Sequence, residues 1–167
     1  MIDFSDTAKF SIPQMTGYNN EFSCTNSIHH IMRSHKIIPK SISPKQFFDD
    51  LGLGPIKDSR ADDRLGKLAK SIIVENEIEN EKDHDKMKTV TMINGVNIFV
   101  IERDCNDYYD VTLVQKGKIM SLDDKSVILM KEGAWYVPIY YNDQVTGKRV
   151  GLFEQAHPVI QKLLDEI

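Results

Sequence analysis

Cysteine is scarce in this chain. Its 167 residues hold two, Cys24 and Cys105, far apart and in neither a CxxC pair nor a ladder of spacings. That argues against a disulfide framework and against a cysteine-based zinc site, and it suits a reducing, intracellular compartment. Positive charge is short as well: the formal net charge is -4, so no global basic field exists to hold nucleic acid or an anionic membrane surface. The one local basic cluster, Arg33, Lys36, Lys40 and Lys45, reads as a solvated face. No run approaches the roughly 18 apolar residues of a membrane span. The opening residues MIDFSDTAKF carry two acids and no apolar core, unlike a secretory leader.

Metal and cofactor motifs are missing too. His29, His30 and His35 contain no pair at i and i+4, and Glu81, Asp83, His84 and Asp85 sit in a dense charge run without ligand periodicity. No glycine-rich loop follows a strand pattern, since Gly52 and Gly54 follow a helix, so no phosphate cradle and no cofactor are expected.

What the chain does have is enough apolar material, 41% of its residues, for one core. We expect a single domain over 1–167, with a helical part at 20–88, a sheet part at 90–153 and a closing helix at 158–167. Residues 1–20 suggest an extended arm with a short strand at Phe10 to Ile12. Cys24, Ile28, Ile31 and Met32 recur on one helical face, with Ser23 or Asn20 available as the cap. Ser43-Pro44-Lys45-Gln46 announces a second helix, with Pro44 at its first position and Gly52 ending it. A third starts near Ser59 and buries Leu65, Leu68, Ala69, Ile72 and Ile73. The charge run from Glu75 to Lys88 reads as a helix end and a loop.

From Val90 the period changes. Val96 to Ile101 and Val127 to Met130 are apolar on both faces, which predicts central strands. Asp104 to Asp107 predict a turn, and Tyr109 to Leu113 predict a strand returning through Lys116-Gly117 onto Ile119 to Leu122. Glu132-Gly133 predicts a hairpin onto Trp135 to Tyr141, at the sheet edge because Pro138 lacks a ladder donor. Arg149 to Phe153 suggests a last strand, and Pro158 to Ile167 a helix. The sum is an α+β fold: N-terminal helices packed on a mainly antiparallel sheet of about five strands, with a C-terminal helix.

The most chemically suggestive stretch is Asn20-Glu21-Phe22-Ser23-Cys24-Thr25-Asn26-Ser27-Ile28. A cysteine in the first turn of a helix has its thiolate favoured by the dipole and by free N–H groups, which can also form an oxyanion hole. A cysteine-led helix, more helix, then strands ending in SVILMKEGAWYVPIYY resembles papain-like cysteine peptidases, in particular ovarian-tumour-type deubiquitinases. The resemblance implies Cys24 as nucleophile and a ubiquitin-like protein or peptide as substrate. It also implies a histidine in a Gly-His-Tyr setting where Gly133-Ala134-Trp135-Tyr136 stands. Trp135 occupies that position, and an indole N–H donates but cannot accept a proton. The family's approach to its cysteine is also absent from Tyr18-Asn19-Asn20-Glu21. Activity is therefore expected to be lost or altered, since an active form would have to recruit another histidine: His157 beyond the sheet, His29 or His30 on the cysteine's own helix, or His35 further on.

Residues 95–153 also resemble a C-terminal module of large proteins of nucleocytoplasmic large DNA viruses, whose last strand carries a Tyr-x-Pro-Ile-Tyr core matched by Tyr136, Pro138, Ile139 and Tyr140. That resemblance implies a viral or virus-derived protein in the cytoplasm of a host cell. It favours a second expectation, a non-catalytic module that binds a viral or host protein. The contact surface would be the Trp135–Tyr141 edge, with Tyr136, Pro138 and Tyr140 as contact residues among the aromatics Tyr108, Tyr109, Trp135, Tyr140 and Tyr141.

Overall fold

The computed structural model of the chain describes residues 2–16, 18, 20–53, 57–74, 78–79, 86–87, 93–103, 109–117 and 120–167. In chain order the elements are β1 (Phe10–Ser11), α1 (Ser23–Ser34), α2 (Pro44–Asp50) and α3 (Ala61–Ser71), then four two-residue strands, β2 (Ile73–Val74), β3 (Ile78–Glu79), β4 (Lys86–Met87) and β5 (Ile93–Asn94). The longer strands follow: β6 (Asn97–Arg103), β7 (Tyr109–Val114), β8 (Lys125–Glu132) and β9 (Trp135–Pro138). The chain closes with β10 (Tyr140–Asn142), β11 (Arg149–Val150), β12 (Leu152–Glu154) and α4 (Pro158–Asp165). This is the expected α+β architecture.

The main sheet has five strands in the order β12-β8-β6-β7, with β9 also paired to β8. Since β6 runs along one side of β8, β12 and β9 share the other, pairing with its two halves. All pairs are antiparallel except β6 with β8 at the centre, which is parallel. Both central strands are apolar on both faces because both faces are covered. Ile98, Val100, Val127 and Leu129 pack with α1, α2 and α3, whereas Phe99, Ile101, Ile128 and Met130 pack with the N-terminal arm and α4. A smaller antiparallel sheet, β1-β10-β11, ties the arm to the end of the chain.

Local signals explain most of the helix ends. Ser43 Oγ accepts from Gln46 N–H at 3.2 Å with Pro44 next to it, and Gly52 closes α2 at a φ of 75°. His157 caps α4 through Nδ1, which accepts from Val159 N–H at 3.2 Å. α3 begins at Ala61, after a single 3-10 turn over Asp58–Arg60.

Three expectations are corrected. β7 pairs with β6 and not with residues 120–122, which form no strand. There, Asp124 is buried and accepts from Ser121 N–H at 2.8 Å and from Lys116 Nζ at 2.5 Å. This buried carboxylate folds the link between β7 and β8 into a turn, where a hairpin partner was expected. Within the charge run, Ile78–Glu79 pairs with Lys86–Met87 as short strands in place of a helix end. At the start of α1 the expected Ser23 cap is not used: Phe22 takes the cap position without a side-chain bond and Ser23 is the first helical residue, while the side chain of Asn20 lies outside the described residues. Also outside them are Glu81, Asp83, His84, Asp85, the turn at 104–107 with Cys105, and Tyr108 and Ile119.

Candidate functional site

The residues singled out by the sequence meet where the first turn of α1 abuts β9 and the turn before α3. Cys24 is 0% exposed. Its backbone N–H donates to Asp58 Oδ1 at 3.1 Å, and Ser23 Oγ donates to Asp58 Oδ2 at 2.8 Å. One carboxylate from a distant turn therefore serves as a cap of the helix, a favourable place for negative charge. On the other side Ser23 Oγ accepts from Tyr136 N–H at 2.8 Å, while Ser27 Oγ lies 3.1 Å from Tyr136 O and 2.6 Å from Ser23 O. The Tyr136 hydroxyl donates to Asp62 Oδ1, and Lys131 Nζ bridges Asp62 Oδ2 at 2.6 Å.

The electrostatics run against a nucleophile. Burial first, then the negative charges of Asp58 and Asp62, push the Cys24 thiol well above its ordinary pKa. Reactive cysteines have the opposite setting, electropositive and partly exposed. The Tyr136 phenol is also pushed up, by burial and by its bond to Asp62.

Trp135 lies on β9 opposite Glu132 and is 49% exposed. Neighbouring strand residues face opposite ways, so the residue turned toward α1 is Tyr136, whose ring sits in the same core as Cys24. A one-residue register difference thus removes Trp135 from the position expected of a catalytic partner. His157 belongs to the other face of the sheet, with its ring edge-on to Tyr141 and Phe153, so it cannot serve Cys24.

The remaining described histidines hold structure. His29 Nε2 donates to Ile42 O at 2.7 Å and its Nδ1 meets the Tyr18 hydroxyl at 2.9 Å. His30 Nδ1 meets the Tyr140 hydroxyl at 2.6 Å, and His35 Nε2 accepts from Gly151 and Leu152 N–H at 2.9 and 3.1 Å. Among the described residues no imidazole bonds to the Cys24 thiol, and no group of three or more His, Cys, Asp or Glu side chains could hold a metal ion.

Burial lowers the pKa of His29, His30, His35 and His157. Each is then protonated more readily in the unfolded chain, at about 6.5, than in the fold, so stability is full above that pH and lost as pH falls below it. The denaturant midpoint is expected to drop between about pH 7.5 and about pH 5.5. The drop should be shallower in His35→Gln, which still offers an acceptor but does not titrate. A midpoint flat across that interval would refute the neutral-histidine assignment.

Tyr136, Pro138 and Tyr140 are buried, so the contact surface expected of them is not presented. β9 is an edge strand, as Pro138 implied, yet the outward N–H and C=O of Tyr136 are engaged by Ser23 and Ser27, which closes that position to an added strand. Of the aromatic patch, Trp135 is exposed and Tyr109 and Tyr141 are half-buried. The residues that sequence reasoning missed are Asp58, Ser23 in its actual role, and Tyr136 as the side chain facing the cysteine helix. Among the described residues no helix is long and apolar enough to cross a membrane. Comparison with protein families, curated proteins and solved structures finds no match for this chain.

Proposed function

We propose that the chain is a catalytically silent protein-binding domain of the papain-like, ovarian-tumour-type lineage, with a ubiquitin-like protein as its partner and a reducing, cytoplasmic compartment as its setting. The observation that carries the silent half is the Asp58 carboxylate. It occupies the Cys24 N–H, a donor that an oxyanion would need, above a thiol with no exposure. The partner surface is the tip of the β8–β9 hairpin, where Gly133 and Ala134 leave the Trp135 indole standing half out of the fold. A large amphipathic ring on a rigid hairpin supplies contact area at low entropic cost. The viral lineage is kept within this reading as the source of the domain. Its docking edge loses support from the burial of Tyr136, Pro138 and Tyr140.

Two measurements test it. A ubiquitin carrying a thiol-directed electrophile is expected to leave Cys24 unlabelled in the native protein and to label it only after denaturation. Native labelling that depends on both Cys24 and ubiquitin would overturn silence. Trp135 is the single tryptophan of the chain, so its fluorescence reads its own surroundings. Unmodified ubiquitin is expected to shift the emission to the blue saturably. The Trp135→Ala variant, followed by calorimetry, should lose at least about tenfold in affinity, the usual minimum for an aromatic anchor. An unchanged emission at millimolar ubiquitin would exclude this partner.

A further inference from the structure

On the far end of α1 from Cys24, a concavity of about 330 Å³ is lined by Tyr18, His30, Arg33, Ser34, Lys36 and Lys40. Gln14 and Thr16 complete its wall, and no acid lines it among the described residues. Three of the four basic residues that the sequence suggested as a solvated face therefore converge on one hollow. Cations near a helix C-terminus are ordinarily explained by the dipole. Here the last-turn carbonyls of Ile31, Met32 and Arg33 already accept from His35, Ile37 and Lys36 N–H, and the cations extend past them to Lys40.

The donors are held from behind. Ile42 O can only accept, so His29 Nε2 carries the hydrogen, Nδ1 accepts, and the Tyr18 hydroxyl donates to it. The Tyr18 oxygen is left free to accept, and the positive charge of Arg33 acts on it. Beneath His30, the fully buried Tyr140 hydroxyl lies 2.6 Å from Nδ1 and 3.0 Å from Ser34 Oγ. Ser34 Oγ gives its one hydrogen to Ile31 O at 2.9 Å, so it accepts from the Tyr140 hydroxyl, whose oxygen in turn accepts from His30 Nδ1–H. Arg149 stacks on the Tyr140 ring at 4.5 Å and adds a further positive charge. The formal charges that act on His30 are those of Arg149 and Arg33, both positive.

We infer that this hollow is a binding site for a phosphoryl dianion, gripped by Arg33 and Lys40, and wide enough to take it as the monoester of a small molecule. A planar guanidinium beside an ammonium suits a tetrahedral oxyanion. The volume falls in the range of small-molecule sites, about 300–1,000 Å³, and exceeds what one oxyanion fills.

The test titrates inorganic phosphate and adenosine 5′-monophosphate separately into isotope-labelled protein. Amide and imidazole resonances report the position, and calorimetry the affinity. Saturable shifts centred on Tyr18, His30 and Arg33 are expected. Arg33→Ala and Lys40→Ala, both at exposed positions and so free of folding defects, should each weaken binding by about tenfold or more, as loss of a charge-assisted bond does. Lys67→Ala and Lys70→Ala, which remove the same charge from α3, should leave it unchanged. Tighter binding of the monophosphate identifies the ester as occupant and equal binding identifies the free ion; both support the site. Absence of saturable shifts at millimolar ligand, or equal weakening by the α3 variants, overturns it.

Discussion

Gly95→Ala is expected to cost the fold more than any other single added methyl group. Gly95 sits at a φ of 74° just before β6, and a Cβ there would lie 2.5 Å from the Ala69 carbonyl oxygen in the last turn of α3. Neither atom can move alone. Gly95 N–H donates to Ile72 O at 2.5 Å and Val96 N–H to Ala69 O at 2.9 Å, so the end of α3 has the entering strand as its cap. Left-handed backbone costs a non-glycine residue about 1–2 kcal/mol. Overpacking against rigid neighbours adds about 1–3 kcal/mol. The total of about 2–5 kcal/mol is a large fraction of the roughly 5–15 kcal/mol that holds a domain together. Gly133→Ala is the control, because Gly133 has a φ of 61° and nothing within 4 Å of its Cβ position, so it isolates the backbone contribution. Urea midpoints should place Gly95→Ala lower by at least about 1 kcal/mol. Equal losses would mean that α3 is not clamped onto the start of β6.

The elements that sequence reasoning placed well are those whose signals are local. Ser43-Pro44 and Gly52 bracket α2 because capping and left-handed backbone act within a few residues. Two-faced apolar runs made β6 and β8 central, since only strands covered on both sides can be apolar on both. Nothing in those runs carries direction, however, and the parallel pairing of β6 with β8 is fixed by the long path between them. Residues 120–122 had strand-like composition, yet the buried Asp124 carboxylate, with its bonds to Ser121 and Lys116, decides the chain path there.

The candidate site was legible in its membership and not in its geometry. Cys24 in the first turn of α1 followed from periodicity, but its cap lies 34 residues away along the chain, and no local motif announces such a partner. Likewise Trp135 and Tyr136 are adjacent in sequence, and only the register of β9 on β8 tells which of them faces α1. The histidines were visible as residues. Their partners, Ile42 O, Tyr140 and the Gly151–Leu152 backbone, are long-range, so their structural roles emerge only in the fold.

Asp58 makes the second large effect, and it separates stability from reactivity. Asp58→Ala removes the acceptor for Cys24 N–H and Ser23 Oγ, and is expected to cost about 1–3 kcal/mol, the usual loss for stranded donors and a missing cap. Asp58→Asn keeps an acceptor oxygen and removes only the charge, so most of that stability should remain. Burial is the largest single influence on the Cys24 thiol, ahead of either carboxylate, so removing one charge should leave alkylation slow. In Asp58→Ala, alkylation should instead rise with the population of locally opened molecules, by up to about thirtyfold for a loss of about 2 kcal/mol. Both variants are compared in a Cys105→Ser background, so that a small alkylating reagent reads Cys24 alone. If Asp58→Asn is as stable as its parent and yet reacts at the rate of a free thiol, Cys24 is an accessible nucleophile held in check by one charge, and the silent reading fails. If Asp58→Ala loses no stability, the carboxylate is not the cap of α1.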